Sequence, residues 1–174
     1  MTSPILYIFS GLPGSGKSTL AKALARVTKA SYLRIDTVEQ GIRDLCQFKV
    51  EGEGYRLSYR VASDNLELGN SVIADSCNPI ELTREEWQDV ANNLNAQFIN
   101  IEVRCSDKTE HKQRVEERVS EVTNLILPSW QQVVDREYHP WNSNSINLVK
   151  IDTAGKSIQE SIEELLQLLK AHQR

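Results

Sequence analysis

The chain has 174 residues, 40% hydrophobic and 25% charged, with 8 glycines and 5 prolines. That size and balance suit a single globular domain and exclude disordered, fibrous and low-complexity classes. The formal net charge of −4, with Lys and Arg dispersed and not in blocks, makes nucleic acid an unlikely partner.

Cys46, Cys77 and Cys105 are widely spaced and lack CxxC pairing. They therefore read as free thiols, buried or nearly so, and not as a disulfide framework or zinc site. The apolar run ahead of the first glycine is only Ile5 to Phe9, too short for a signal peptide or a membrane span, so a cytoplasmic protein without membrane contact is expected.

Ile5–Phe9, between Pro4 and Gly11, has the continuous apolar character of a strand covered on both faces. Four further runs follow: Ser31 to Ile35, Ser71 to Ala74, Phe98 to Val103 and Ile146 to Ile151. Each is preceded by a helical pattern long enough for a crossover connection, which implies an α/β sandwich on a five-stranded parallel sheet.

Capping boxes mark helix entries at Thr83 with Glu86, Ser129 with Gln132 and Ser157 with Glu160. The stripes Tyr55, Tyr59, Ala62, Leu66 and Ile158, Ile162, Leu165, Leu166, Leu169 are core-facing helix sides.

Directly after the first strand, Gly11-Leu12-Pro13-Gly14-Ser15-Gly16-Lys17-Ser18-Thr19 fits G-x-x-x-x-G-K-[ST], and the helical pattern Leu20, Ala21, Leu24, Ala25 follows. The glycines let consecutive N–H groups converge on a polyphosphate at the positive end of the next helix. Lys17 supplies a point charge to the β- and γ-phosphates. The Ser18 hydroxyl suits Mg²⁺, and Thr19 faces the α-phosphate.

Asp152-Thr-Ala-Gly155 looks like the DxxG element of small GTPases, but only one helix follows it and no guanine-reading N/T-K-x-D exists. A turn between the last strand and last helix fits better.

The phosphate loop, Tyr32-Leu-Arg-Ile-Asp36-Thr37, Val72-Ile-Ala-Asp75-Ser-Cys-Asn78 and the helix with Arg114 and Arg118 together resemble a family. It comprises P-loop kinases related to chloramphenicol phosphotransferase, zeta-toxin-like kinases, gluconate kinase and adenylylsulfate kinase, sometimes described as AAA-family ATPases. The resemblance covers nearly the whole chain and implies a three-layer P-loop NTPase sandwich with the first strand in the middle. It also implies a helical lid after the fourth strand, at about 119–141, within one kinase domain spanning 1–174. A full AAA+ machine with a helical second domain is not expected.

It implies that ATP with Mg²⁺ is the donor and a small-molecule hydroxyl the acceptor. Turn residues Asp152 and Gly155 would then touch the adenine.

Asp36, at a strand end where doubly wound sheets place ligands, is either the general base for the acceptor or a helix cap completed by Glu39. Arg43 either grips an anionic acceptor or is a solvated arginine. Asp75 resembles a Walker B acid holding Mg²⁺, or starts a turn. Asn78 touches acceptor or shapes a loop with Pro79.

Arg114 and Arg118, four apart, reach phosphate oxygens or pair with Glu110, Glu117 or Glu121. Arg136 belongs to the lid's moving parts, and Trp130, His139 and Trp141 line the acceptor pocket or pack in the core. The scattered histidines imply no metal beyond Mg²⁺. A metabolite or antibiotic kinase, a toxin-like nucleotide-sugar kinase and a regulatory ATPase without an acceptor are the competing readings, and net charge disfavours a polynucleotide kinase.

Overall fold

The computed structural model describes residues 3–142 and 145–172. Its five strands are β1 (Ile5–Ser10), β2 (Ser31–Arg34), β3 (Val72–Asp75), β4 (Gln97–Arg104) and β5 (Leu148–Asp152). They form one all-parallel sheet in the order β2-β3-β1-β4-β5. The helices are α1 (Lys17–Thr28), α2 (Ile35–Cys46), α3 (Glu53–Glu67), α4 (Glu81–Asn92), α5 (Lys108–Glu117), α6 (Trp130–Val134) and α7 (Ile158–His172).

The central strand is apolar on both faces because helices cover both. Tyr7 and Phe9 pack with Leu20 and Leu24 of α1 and with Leu165 and Leu169 of α7. Leu6 and Ile8 face the other way, onto Ala62 and Leu66 of α3 and Trp87 and Ala91 of α4. Register places Asp75 between Phe9 and Arg34 at one sheet edge, so the C-terminal ends of three strands meet where ligands gather in such folds.

Several predicted boundaries move. The last strand starts at Leu148, because Asn147 turns the chain through the left-handed region (φ 53°) and leaves Ile146 exposed. Ile35 opens α2 instead of ending β2.

The capping boxes at Ser129–Gln132 and Ser157–Glu160 form with reciprocal hydrogen bonds. The one at Thr83–Glu86 does not. Helix α4 has already begun at Glu81, the Thr83 hydroxyl donates to Ile80 O, and Glu86 accepts from the Tyr59 hydroxyl. Cys105 is buried, but Cys77 is half-buried and Cys46 is exposed at the end of α2, contrary to the expected burial.

The interval expected as a helical lid is mostly irregular. Only α6 is helical between 119 and 141, and Ser120, Asn124 (φ 61°) and Pro128 interrupt the rest. Its return is fixed to the core. The Trp141 indole donates to Ser10 Oγ (3.0 Å), and the Arg84 guanidinium stacks 4.3 Å from the centre of that ring while donating to the carbonyls of Asn78 and His139. No helix among the described residues is long and apolar enough to cross a membrane.

Candidate active site

The phosphate loop leaves β1 and turns into α1. Gly14 (φ +84°) has no room for a side chain, since a Cβ there would lie 2.5 Å from Val115 Cγ2 on α5. Gly16, also left-handed, stands before α1 with no side-chain cap, so the first N–H groups of that helix remain available to an anion.

Two contacts hold the loop from outside. The Thr153 hydroxyl donates to Ser15 O (2.8 Å), and His111 Nε2 lies 2.9 Å from Pro13 O. The His111 ring meets Trp130 of α6 edge-on at 5.3 Å.

Behind the loop Asp75 collects cations and hydroxyls. Lys17 Nζ donates to Oδ1 (3.2 Å), the Tyr32 hydroxyl donates to Oδ2 (2.6 Å), and Arg34 Nε lies 3.8 Å from Oδ2. Burial pushes the Asp75 carboxyl up, but the Lys17 charge, with hydrogen bonds from Tyr32 and Ser18, outweighs it and holds the group below the usual carboxylate range. For Lys17, burial works downward and the Asp75 charge more than offsets it, so the ammonium titrates above its ordinary value. Burial and the Asp75 carboxylate together push the Tyr32 phenol up.

A cavity of about 930 Å³ opens over this pair. One end is walled by Leu12, Gly14, Gly16, Arg114, Thr153 and Lys156. The other is walled by Asp36, Glu39, Arg43, Cys77, Arg118 and Arg136. The segment after α5 bridges the two ends. Glu121 accepts from Lys22 Nζ (2.6 Å) and Arg34 Nη1 (3.1 Å), and Asn124 donates to Asp44.

The predicted residues divide accordingly. Leu12, Pro13, Gly14, Gly16, Lys17, Ser18 and Thr19 line the cavity, whereas Gly11 and Ser15 support the loop from beneath. Asp36 lies in the first turn of α2, exposed to the cavity and without a capping hydrogen bond. The helix starts one residue earlier, and Glu39 pairs with Arg43 instead (3.2 Å).

Arg114 and Arg118 both face the cavity but keep different company. Arg114 donates to Thr153 Oγ1 (2.7 Å) and Thr153 O (3.0 Å) and pairs with Glu110. Arg118 stands just past α5 in extended backbone, with Asp36, Arg136 and Cys77 as its charged and polar neighbours.

Several other predicted residues lie off the cavity walls, among them Trp130, half-buried against His111, and His139, which is exposed and paired with Glu137 and so neither lines the pocket nor packs in the core. Asn78 is fully buried in left-handed backbone (φ 43°) and donates to Phe9 O (2.7 Å), so it shapes the loop after β3. Asp152 turns its carboxylate to the N–H groups of Ser106 and Ala154, and Gly155 donates its N–H to Glu110, leaving Thr153 and Lys156 to face the cavity from this turn. Trp141 is committed to Ser10 and Arg84 in the core.

Sequence reasoning passed over Cys77, Lys22 and the Glu121 bridge. Lys22 and Glu121 sit in no motif, and Cys77 carried a signal only as part of the segment that runs from Asp75 to Asn78. Its thiol donates to Gly11 O (3.1 Å) and receives Arg136 Nη1 at 3.6 Å.

The donor set fits Mg²⁺. The Ser18 hydroxyl is near enough to the Asp75 carboxylate to help lower it, and Mg²⁺ needs only one or two hard protein oxygens when phosphates and waters supply the rest.

A parallel sheet with order β2-β3-β1-β4-β5, a phosphate loop after the central strand and an acid at the end of the adjacent strand define a P-loop nucleotide-binding protein. The chain belongs to the AAA domain family, whose signature matches residues 6–136.

It is 27% identical over 168 residues to a Thermococcus gammatolerans protein carrying the name "Putative adenylate kinase", covering 95% of this chain and 85% of that one. Its fold matches a gluconokinase from Sinorhizobium meliloti (TM-score 0.69, 16% identity, 98% of this chain and 94% of that chain). It also matches the Mycobacterium tuberculosis APS kinase CysC in complex with AMPPNP and APS (TM-score 0.69, 18% identity, 98% and 99%).

Proposed function

We propose that the chain is an ATP-dependent phosphotransferase that moves the γ-phosphoryl group to a hydroxyl of a small molecule. One observation carries this reading. A single cavity holds the phosphate loop with Lys17 and, within electrostatic reach of that lysine, the exposed carboxylate of Asp36, which is in no ion pair among the described residues. A pure ATPase needs the first of these and not the second. The kinship with an adenylate kinase, and folds shared with kinases of different acceptors, support the same class.

The loop N–H groups and the start of α1 receive the phosphates. Lys17 exchanges part of its bond to Asp75 for the β/γ oxygens. Ser18 and Asp75 would hold Mg²⁺, which would supply positive charge to the phosphates. Arg114, braced by Thr153 and Glu110, presents its guanidinium to the donor end.

At the other end Asp36 orients the acceptor hydroxyl and takes its proton as the oxygen bonds to Pγ and the bond to the β–γ bridging oxygen breaks, releasing ADP. A screen of sugars, nucleosides, amino alcohols and antibiotics for acceptor-dependent ADP release, with mass spectrometry for the added phosphoryl group, tests this. Slow hydrolysis indifferent to every acceptor would replace it with a regulatory ATPase.

A further inference from the structure

Basic side chains crowd the cavity: eight line it, and six are in ion pairs with Asp75, Glu121, Glu39, Glu110 or Glu164. Arg118 and Arg136 are the exceptions, in no ion pair among the described residues. Arg118 is half-buried, and its Nε and Nη2 are sealed from solvent without a hydrogen-bond partner. These two N–H groups form the side edge of the guanidinium, the fork that grips two oxygens of one oxyanion.

Arg136, which is solvent-exposed, stands beside it, and among the described residues its hydrogen-bond contact is the Cys77 sulfur (3.6 Å). Two neighbouring guanidinium groups, one of them with buried donors unsatisfied, are costly unless an anion joins them. Both lie among Asp36, Glu39 and Cys77, whereas Arg114 is braced by Thr153. The phosphate loop, Lys17 and Arg114 already supply cations and N–H donors for the donor phosphates.

We propose that the acceptor is itself an anion: a small hydroxy compound bearing a phosphate, sulfate or carboxylate group, held by the side edge of Arg118 and by Arg136 while its hydroxyl lies against Asp36. This rests on the phosphotransfer reading. The fork of Arg118 fixes the oxyanion, and the distance from that fork to Asp36 then selects which hydroxyl of the molecule is presented. A neutral sugar or alcohol of the same shape leaves Arg118 unsatisfied and is discriminated against, because a site built for a charged group rejects the analogue that lacks it.

The test is calorimetry on the full chain with Mg·AMPPNP filling the donor site. The probes are glycerol, glycerate and glycerol 3-phosphate, then ribose, ribonate and ribose 5-phosphate, with inorganic sulfate as the third oxyanion. At least one charged probe is expected to bind about tenfold or more tightly than its neutral parent. Arg118→Gln and Arg136→Gln should each weaken that binding by about tenfold to a hundredfold, the range for a hydrogen bond to a charged group, and leave Mg·AMPPNP affinity unaltered.

Charged probes that bind no better than neutral ones, or not at all, would overturn the proposal. So would variants that weaken Mg·AMPPNP alone, which would assign both arginines to the donor. With Mg·ATP in place of Mg·AMPPNP, charged probes that bind but receive no phosphoryl group would sink the kinase reading and leave the anion site standing. Transfer to neutral parents alone would do the reverse.

Discussion

The two ends of the cavity are built in opposite ways. At the donor end the polar groups are set by backbone and core: Gly14 closes against Val115, Thr153 ties Ser15 to Arg114, and Asp75, with its side chain only 1% exposed, holds Lys17. At the acceptor end the side chains come from α2, the loop after β3 and the segment after α5. They are partnered by one another where they are partnered at all. On the proposed reading, the donor end is therefore preorganised for the nucleotide. The acceptor end is a set of adjustable side chains on a stiff frame, the arrangement by which one fold serves many substrates.

The sharpest way to break this comparison is Asp36→Asn, which removes the proposed base and leaves the phosphate loop and the Lys17–Asp75 pair in place. Turnover should fall by roughly 10²–10⁴-fold, as for loss of a general base, while calorimetry finds Mg·ATP affinity unchanged. Turnover near wild type would return Asp36 to a merely electrostatic role.

Lys17→Ala attacks the donor end. Affinity for Mg·ATP should drop about tenfold to a hundredfold, the worth of a charge-assisted hydrogen bond, with circular dichroism unchanged. Undiminished affinity would leave the phosphate loop without its purpose.

A third test concerns stability. Asp75→Asn leaves Lys17, with 11% of its side chain exposed, facing an uncharged partner, at a cost of about 3 kcal/mol readable by denaturant titration. Because the folded Asp75 carboxyl titrates below its ordinary value of 3.8, its stabilisation is complete above that pH and is lost as pH falls through the depressed value. Lys17 titrates above 10.5, so its share goes only in strong alkali. Melting curves should show an acid limb below about pH 4 that flattens in Asp75→Asn. An identical limb in both proteins would mean that other carboxylates govern acid unfolding.

The smallest effect belongs to the bridge between the ends. The Glu121 side chain is 56% exposed, so Glu121→Gln should change stability by less than about 1 kcal/mol while nucleotide association, followed by stopped flow, becomes faster. Slower association would make the bridge part of the open site.

This contrast explains what the sequence made legible. The donor end occupies consecutive residues in a motif whose glycines and lysine have a mechanical reason for each place, and the parallel sheet follows from short continuous apolar runs separated by helices. The acceptor end is assembled from positions as far apart as Asp36, Cys77 and Arg136, and no spacing rule brings them together.

Asn78 and Asp152 misled because short polar residues at strand ends serve backbone turns as readily as ligands. Trp141 could have been a pocket wall until Ser10, 131 residues away, supplied its hydrogen-bond acceptor. The spacing of Arg114 and Arg118 placed both at the cavity but could not show that the helix ends between them.

Trp130 gives the molecule an optical readout of its own. The chain has three tryptophans. Trp87 is sealed in the core and Trp141 lies under Arg84, while Trp130 rests half-exposed against an imidazole that touches the Pro13 carbonyl. A phosphate loop that shifts as it wraps a nucleotide pulls on His111, and His111 is the neighbour whose distance and charge set the brightness of that indole. With Trp87→Phe and Trp141→Phe in place, the emission of one side chain follows loop and lid in real time without a dye.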